Sequence, residues 1–158
     1  NILLTHKGKI NIYVPYLAYS AGTMLALCAD NLYMNTYSLL SPVDPQIEFD
    51  NNDDLTPVIS YIKHARYKGL SNLSVNDTLR YYECKRLYDD NIRNLKRILS
   101  PKYSKQKLNI IVKELGRGYH PHAKQFNIDE LNDMGFNINI GIPDNIMKIF
   151  CMFIKTVK

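Results

Sequence analysis

The stretch Val14–Asp30, VPYLAYSAGTMLALCAD, decides how the rest of the chain is read. Just ahead of it, Lys9–Pro15 (KINIYVP) alternates, with Ile10, Ile12 and Val14 on one face, so it reads as a β-strand that Pro15 ends. Ser20–Ala29 (SAGTMLALCA) is small and apolar nearly all round, the pattern of a helix buried on several sides. Asn31–Asn35 (NLYMN) follows as a second short strand. Strand, buried helix and strand make the unit of a parallel α/β layer. At the strand-to-helix turn stands Ser20, flanked by Ala21 and Gly22, whose small size allows close backbone approach. A serine there is presented at the mouth of the fold, beside unpaired N–H groups of the helix's first turn that can stabilise an oxyanion. This is the physical content of a nucleophile elbow. Ser is also among the commonest N-caps, so the residue by itself leaves both readings open.

Working outward, Ser41–Gln46 (SPVDPQ) holds two prolines within four residues and reads as a turn or loop. There the Asp44 carboxylate is expected to cap backbone N–H groups of the turn, and Asp30 to join helix end to strand start. Asn51–Asp54 is polar and acidic and reads as a loop, followed by a weakly marked helix over Leu55–Lys68. Asn76 can cap a longer helix through Ile98, with Leu79, Tyr82, Leu87, Leu95 and Ile98 as its apolar stripe and Ser100-Pro101 as its break. Ser104–Leu115 is a further helix, closed by Gly116. Asn127–Glu130 has the form of a capping box, and Gly135 fits the C′ position of that short helix. Phe136–Ile142 alternates as a strand, and Pro143 opens a last helix into Cys151–Val157.

At 158 residues the chain suits one domain or one and a half, and its 46% hydrophobic and 22% charged residues exclude wholesale disorder. The expected division is an α/β core portion over 1–73 and a helical region with a short strand over 74–158. No run approaches the roughly 18 apolar residues of a spanning helix. Position 1 is Asn rather than Met and no signal peptide is visible, so the sequence reads as a piece of a longer protein. Cys28, Cys84 and Cys151 are far apart and odd in number, with no CxxC, which argues against a disulfide framework or zinc site and favours a reducing intracellular compartment. Between Lys63 and Lys107 there are 12 Lys/Arg against 4 Asp/Glu, while the rest of the chain is mildly acidic. Tyr81, Tyr82, Tyr88 and Tyr103 interleave with these cations, but they fall at helix-face positions, so a solvated face is expected rather than a nucleic-acid site.

The run from Val14 to Gln46 resembles the serine dehydrogenase proteinase family, a branch of the Clp protease and crotonase superfamily. The family pattern is close to "VP-x-x-A-x-SAGT-x-x-ALxAD-x-I-x-M … LGP-x-DPQ". Ser20-Ala21-Gly22-Thr23, Ala26-Leu27, Ala29-Asp30, Met34 and Pro42-Val43-Asp44-Pro45-Gln46 match as they stand, and Ser41 replaces the usual Gly. Tyr119–Phe136, with His122 thirteen residues before Gly135, is similar to the family's "HDYPI-x-x-x-x-A-x-x-x-GL" segment, although Ala123-Lys124-Gln125 departs from its centre. The likeness is strong over residues 9–47, loose over 116–143 and only helical in character between. It implies a Clp/crotonase-like α/β fold, a parallel sheet layer with a buried helix, followed by a mostly helical C-terminal part.

The resemblance further implies that Ser20 is the nucleophile of a serine peptidase and that the Ala21 N–H is one oxyanion donor. The second donor of such enzymes comes from a Gly-Gly turn after an earlier strand, expected upstream of this sequence. The base is open. In the Clp arrangement its His would fall near Ser41–Pro45, where Asp44 stands instead. A Ser/Lys dyad, as in signal peptide peptidase A, is the preferred reading, with Lys63 the candidate base, Lys68 behind it and His122 the alternative. A lysine base needs a pKa depressed by burial. Crotonase-type acyl-CoA enzymes usually carry Gly where Ser20 stands, which favours the peptidase; the remaining alternative is an inactive assembly or binding module. His120-Pro-His122 lacks a third ligand at a defined spacing, so no metal and no cofactor is expected. The expected partners are a polypeptide substrate and further copies of the chain, with a membrane tether conceivable upstream and no nucleic acid.

Overall fold

A computed structural model of the chain describes residues 2–49 and 52–156. In order the elements are α1 (Ile2–Thr5), β1 (Asn11–Val14), β2 (Leu17–Ala18), α2 (Ala21–Ala26), β3 (Asn31–Met34), β4 (Leu39–Leu40), β5 (Gln46–Phe49), β6 (Asn52–Pro57), α3 (Val58–Lys68), a 3-10 turn (Leu70–Asn72), α4 (Val75–Leu99), α5 (Lys105–Gly116), α6 (Ile128–Asp133), β7 (Ile138–Ile140) and α7 (Asp144–Thr156). They form two units, Asn1–Ser41 with Gln125–Lys158, and Pro42–Lys124. The division expected at 73/74 falls inside the second unit, between the 3-10 turn and α4.

The first unit is built on a three-stranded parallel sheet in the order β1-β3-β7. Its register is marked by cross-strand pairs: Asn31 donates to Asn11 at 2.8 Å, and the Tyr13 and Tyr33 rings stack at 4.8 Å. Strand, helix, parallel strand is thus the observed local unit, as the alternation and the apolar helix require. The Asp30 carboxylate accepts the Ile10 N–H at 2.7 Å, tying the end of the α2 segment to the start of the sheet. Two-residue strands β2 and β4 pair in parallel just beyond β1 and β3, too short to leave a period in the sequence. Val14, Leu32, Met34, Leu40, Phe126, Leu131 and Phe136 are buried in this unit. The capping box at Asn127 is present, its side chain accepting from Glu130 N–H while Glu130 accepts from Asn127 N–H, and Gly135 follows α6 at φ 97.

The second unit begins with the antiparallel hairpin of β5 and β6, so Asn52–Asp54, read as loop, belong to a strand; Asn51 lies outside the described residues. Leu55–Pro57 also belong to β6, which shortens the helix expected from Leu55. The α3 and α4 helices pack through Val58, Ile62, Ala65, Tyr81 and Cys84. Ser74, not Asn76, caps α4. The buried stripe of α4 is Tyr81, Cys84, Leu95, Ile98 and Leu99, whereas Leu79, Tyr82 and Leu87, expected inside, are 65%, 58% and 37% exposed. Both sets fit the helical period, and the neighbours α3 and α5 select between them. Gly116, expected to close α5, is its last helical residue and lies under the Leu95 side chain; the left-handed φ falls on Gly118, at 62°.

Candidate active site

Ser20 lies two residues past β2 and immediately before α2. Its backbone stands at φ 47, ψ −108, and it is the one non-glycine residue with positive φ among the described residues. A side chain held there costs about 1–3 kcal/mol, so the surrounding structure must over-determine it. The Ser20 hydroxyl makes no capping bond to α2, which sets aside the plain N-cap reading. Strand, sharp turn and helix therefore present an uncommitted oxygen on a half-buried residue. Next to it, Ala21 is exposed, and no hydrogen bond among the described residues takes up its N–H. An N–H following the nucleophile is the donor such chemistry requires. On the other side, the Tyr19 hydroxyl accepts from Gln125 Nε2 at 2.5 Å.

Ser41 and Thr23 surround the same turn and were not singled out by chemistry in the sequence. Because β2 and β4 run in parallel register, the residue after β4 meets the turn after β2. The Ser20 N–H donates to Ser41 Oγ at 2.8 Å, and the Ser41 N–H donates to Thr23 Oγ1 at 3.2 Å. The Thr23 hydroxyl in turn donates to the Ala18 carbonyl at 2.5 Å. Ser41 and Thr23 are 1% and 0% exposed.

In the second unit, Asp44 and His122, separated by 78 positions, are brought together: His122 Nδ1 lies 3.0 Å from Asp44 Oδ1. Asp44 is 2% exposed, and its other oxygen, Oδ2, has no hydrogen-bond partner among the described residues. Its carboxylate thus meets an imidazole rather than the turn N–H groups expected to receive it. A carboxylate only accepts, so Nδ1 is the donor of this bond; in a neutral imidazole that arrangement puts the lone pair on Nε2. Gly118 lets the loop toward His122 pass Ile59; a Cβ there would stand 2.5 Å from Ile59 Cγ2. Beside this pair, the His120 ring bonds Glu114 Oε2 at 2.6 Å and, with Lys113 alongside, holds the Glu114 carboxyl below its ordinary range. Lys63 and Lys68 are exposed on α3. Among the described residues no group of three or more His, Cys, Asp or Glu could hold a metal ion, none of the three cysteines forms a disulfide, and no helix is long and apolar enough to cross a membrane.

A family described as ClpP-like SDH-type serine proteinase matches residues 1–158. Two uncharacterized proteins of Methanocaldococcus jannaschii are each 25% identical to the chain. One aligns over 157 residues, 99% of this chain and 52% of its own length; the other aligns over 151 residues, 96% and 49%. The chain therefore spans about half the length of the curated relatives it matches. No solved structure matches. With the family match running from end to end over a parallel α/β layer and a serine elbow, the chain belongs to the ClpP-like SDH-type serine proteinases.

Proposed function

We propose that the protein is a peptidase that hydrolyses polypeptide through an acyl-enzyme on Ser20. The observation that carries this reading is the Ser20 backbone at φ 47 with its hydroxyl withheld from capping. In the proposed reaction Ser20 Oγ adds to the scissile carbonyl, and the Ala21 N–H donates to the oxyanion that forms. The base takes the Ser20 proton and returns it to the leaving amine; water then adds to the ester and releases the carboxylate.

For the base, the Asp44–His122 pair supports His122, with Asp44 as the group that fixes its tautomer. Lys63, the preferred base on sequence, becomes the second candidate. It is exposed on α3, whereas a lysine base is a buried one. A homo-oligomer belongs to the same reading, and the exposed Val75, Leu79 and Tyr82 on the outer face of α4 support it.

Intact-mass labelling of the full-length protein with a fluorophosphonate probe tests the proposal. One adduct is expected on the wild type and none on Ser20→Ala. His122→Ala is expected to slow labelling by about 10²–10⁴-fold, and Lys63→Ala to leave it within about twofold. The reverse pattern assigns the base to Lys63. A folded wild type that takes no adduct leaves the inactive assembly or binding module in place of the peptidase.

A further inference from the structure

The Ser20 turn is held from both sides of its strained bond. Its carbonyl accepts from Met24 N–H at 3.0 Å, the first bond of the helix, while its N–H is taken by Ser41 Oγ at 2.8 Å. Rotation about the Ser20 N–Cα bond would let φ relax toward negative values, and it cannot happen while both ends are anchored. The anchor on the N–H side is itself fixed. The Ser41 N–H is shared between Thr23 Oγ1 and the Ala18 carbonyl, each at 3.2 Å, and the Thr23 hydroxyl bonds the same carbonyl. The Ser41 N–H, the Thr23 hydroxyl and the Ala18 carbonyl thus form a closed polar ring that fixes the Ser41 backbone, from which the Ser41 hydroxyl reaches the Ser20 N–H, and both side chains are fully buried. A serine or threonine buried in an apolar layer is expensive unless every polar atom has a task, and here the tasks converge on one backbone N–H. The Gly22 N–H, donating to the Tyr19 carbonyl at 2.7 Å, closes the turn on its other flank.

We propose that Ser41 and Thr23 are positioning residues for Ser20: Ser41 Oγ, oriented by Thr23, locks the Ser20 N–H and so holds the hydroxyl in its attacking orientation. The inference rests on the peptidase reading for its kinetic consequence, but its structural consequence is independent of any activity. It also names what Ser41, which no catalytic pattern singles out, does for the site. Its hydroxyl touches the backbone of the nucleophile and never the reacting atoms.

Two readouts on the full-length protein test it. The first is fluorophosphonate labelling analysed as a saturation curve. Ser41→Ala and Thr23→Val are expected to lower the limiting rate of adduct formation at least about tenfold, with the initial probe affinity within about twofold. Thr23→Ser, which keeps the hydroxyl, is expected to stay within about twofold of the wild type. The second is amide hydrogen exchange at Ser20, expected to speed up at least about tenfold in Ser41→Ala while the amides of β1 and β3 keep their protection. A Ser41→Ala protein that labels at the wild-type rate, or that exchanges its Ser20 amide no faster, overturns the proposal. A wild type that takes no adduct at all defeats the peptidase reading, and exchange then decides the anchoring role alone. Should Ser41→Ala lose protection throughout the sheet, the Thr23→Val and Thr23→Ser pair decides, since equal exchange at Ser20 in those two overturns the ring.

Discussion

Ser20 and Ser74 each stand immediately before a helix, and their backbones and hydroxyls differ in every respect. Ser74 sits at φ −63, ψ 163, and its Oγ accepts the Asp77 N–H at 3.1 Å while donating to the Asp77 carboxylate at 2.7 Å. Ser104 and Asn127 likewise accept the N–H three residues on, before α5 and α6, at φ −60 and −81. Ser20 precedes a six-residue helix at φ 47 and gives it nothing from the side chain. Ordinary caps relax the backbone and supply an acceptor to orphan N–H groups. At Ser20 the backbone is strained, the acceptor is withheld and other residues hold the turn. Position in the sequence does not separate a cap from the serine proposed as nucleophile; the sign of φ and the fate of the oxygen do.

The helices themselves carry the largest expected effect on stability. If α4 is held by its buried stripe rather than by its cap, Leu95→Ala removes a fully buried side chain packed over Gly116 and should destabilise by about 2–5 kcal/mol. Leu79→Ala, on the outer face, should fall within about 0.5 kcal/mol in the monomeric unit. Urea unfolding at matched protein concentration measures both, and an equal loss at the two positions would mean that α4 has been assigned the wrong inner face.

How far this could be read beforehand follows from range. The strand-helix-strand order of β1, α2 and β3, the small residues around Ser20 and the capping box at Asn127 are each written in a short continuous stretch, and each leaves a local pattern. The α4 face does not: Leu79 and Tyr82 recur at helical spacing just as Tyr81 and Cys84 do, and only the packing of α3 against the second set decides. The Asp44–His122 pair joins positions 78 apart, with no spacing rule to announce it. Strands β2 and β4 are two residues each, yet their register is what delivers Ser41 to Ser20. An acidic stretch such as Asn52–Asp54 carries weak strand propensity, and tertiary pairing with β5 overrides it.

The cap at Ser74 gives a smaller and pH-sensitive test. Ser74→Ala should lower stability by about 0.5–2 kcal/mol, the usual worth of a serine cap. The Ser74 hydroxyl bond, aided by Tyr61 and Lys68, holds the Asp77 carboxyl below its ordinary value. A carboxyl whose folded pKa is depressed adds stability above its unfolded pKa and loses it as pH falls through the folded value. The difference between wild type and Ser74→Ala should therefore be full at neutral pH and shrink as the solution is acidified below the ordinary carboxyl range. Denaturant midpoints at several pH values measure it, and a gap that widens toward acid would contradict the Ser74–Asp77 bond.

The finest test returns to Ser20, where two opposing quantities have to be weighed. Ser20→Gly relieves a positive φ that costs a side-chain-bearing residue about 1–3 kcal/mol. It also raises the entropy of the unfolded chain, which acts against the folded state by about 0.4–1 kcal/mol. Strain relief is the larger of the two, so the glycine variant should be more stable than wild type by roughly 1 kcal/mol while losing the fluorophosphonate adduct entirely. Ser20→Ala keeps the strain and withdraws only the oxygen, so its stability should match wild type within about 0.5 kcal/mol. At Ser74 the same pair should both fall below wild type, glycine only slightly so, because a capping backbone sits in a region any residue adopts and neither substitution has strain to relieve. A glycine at position 20 that proves less stable than alanine would show that φ 47 is not a strained state, and with it would go the reason for distinguishing this serine from the caps.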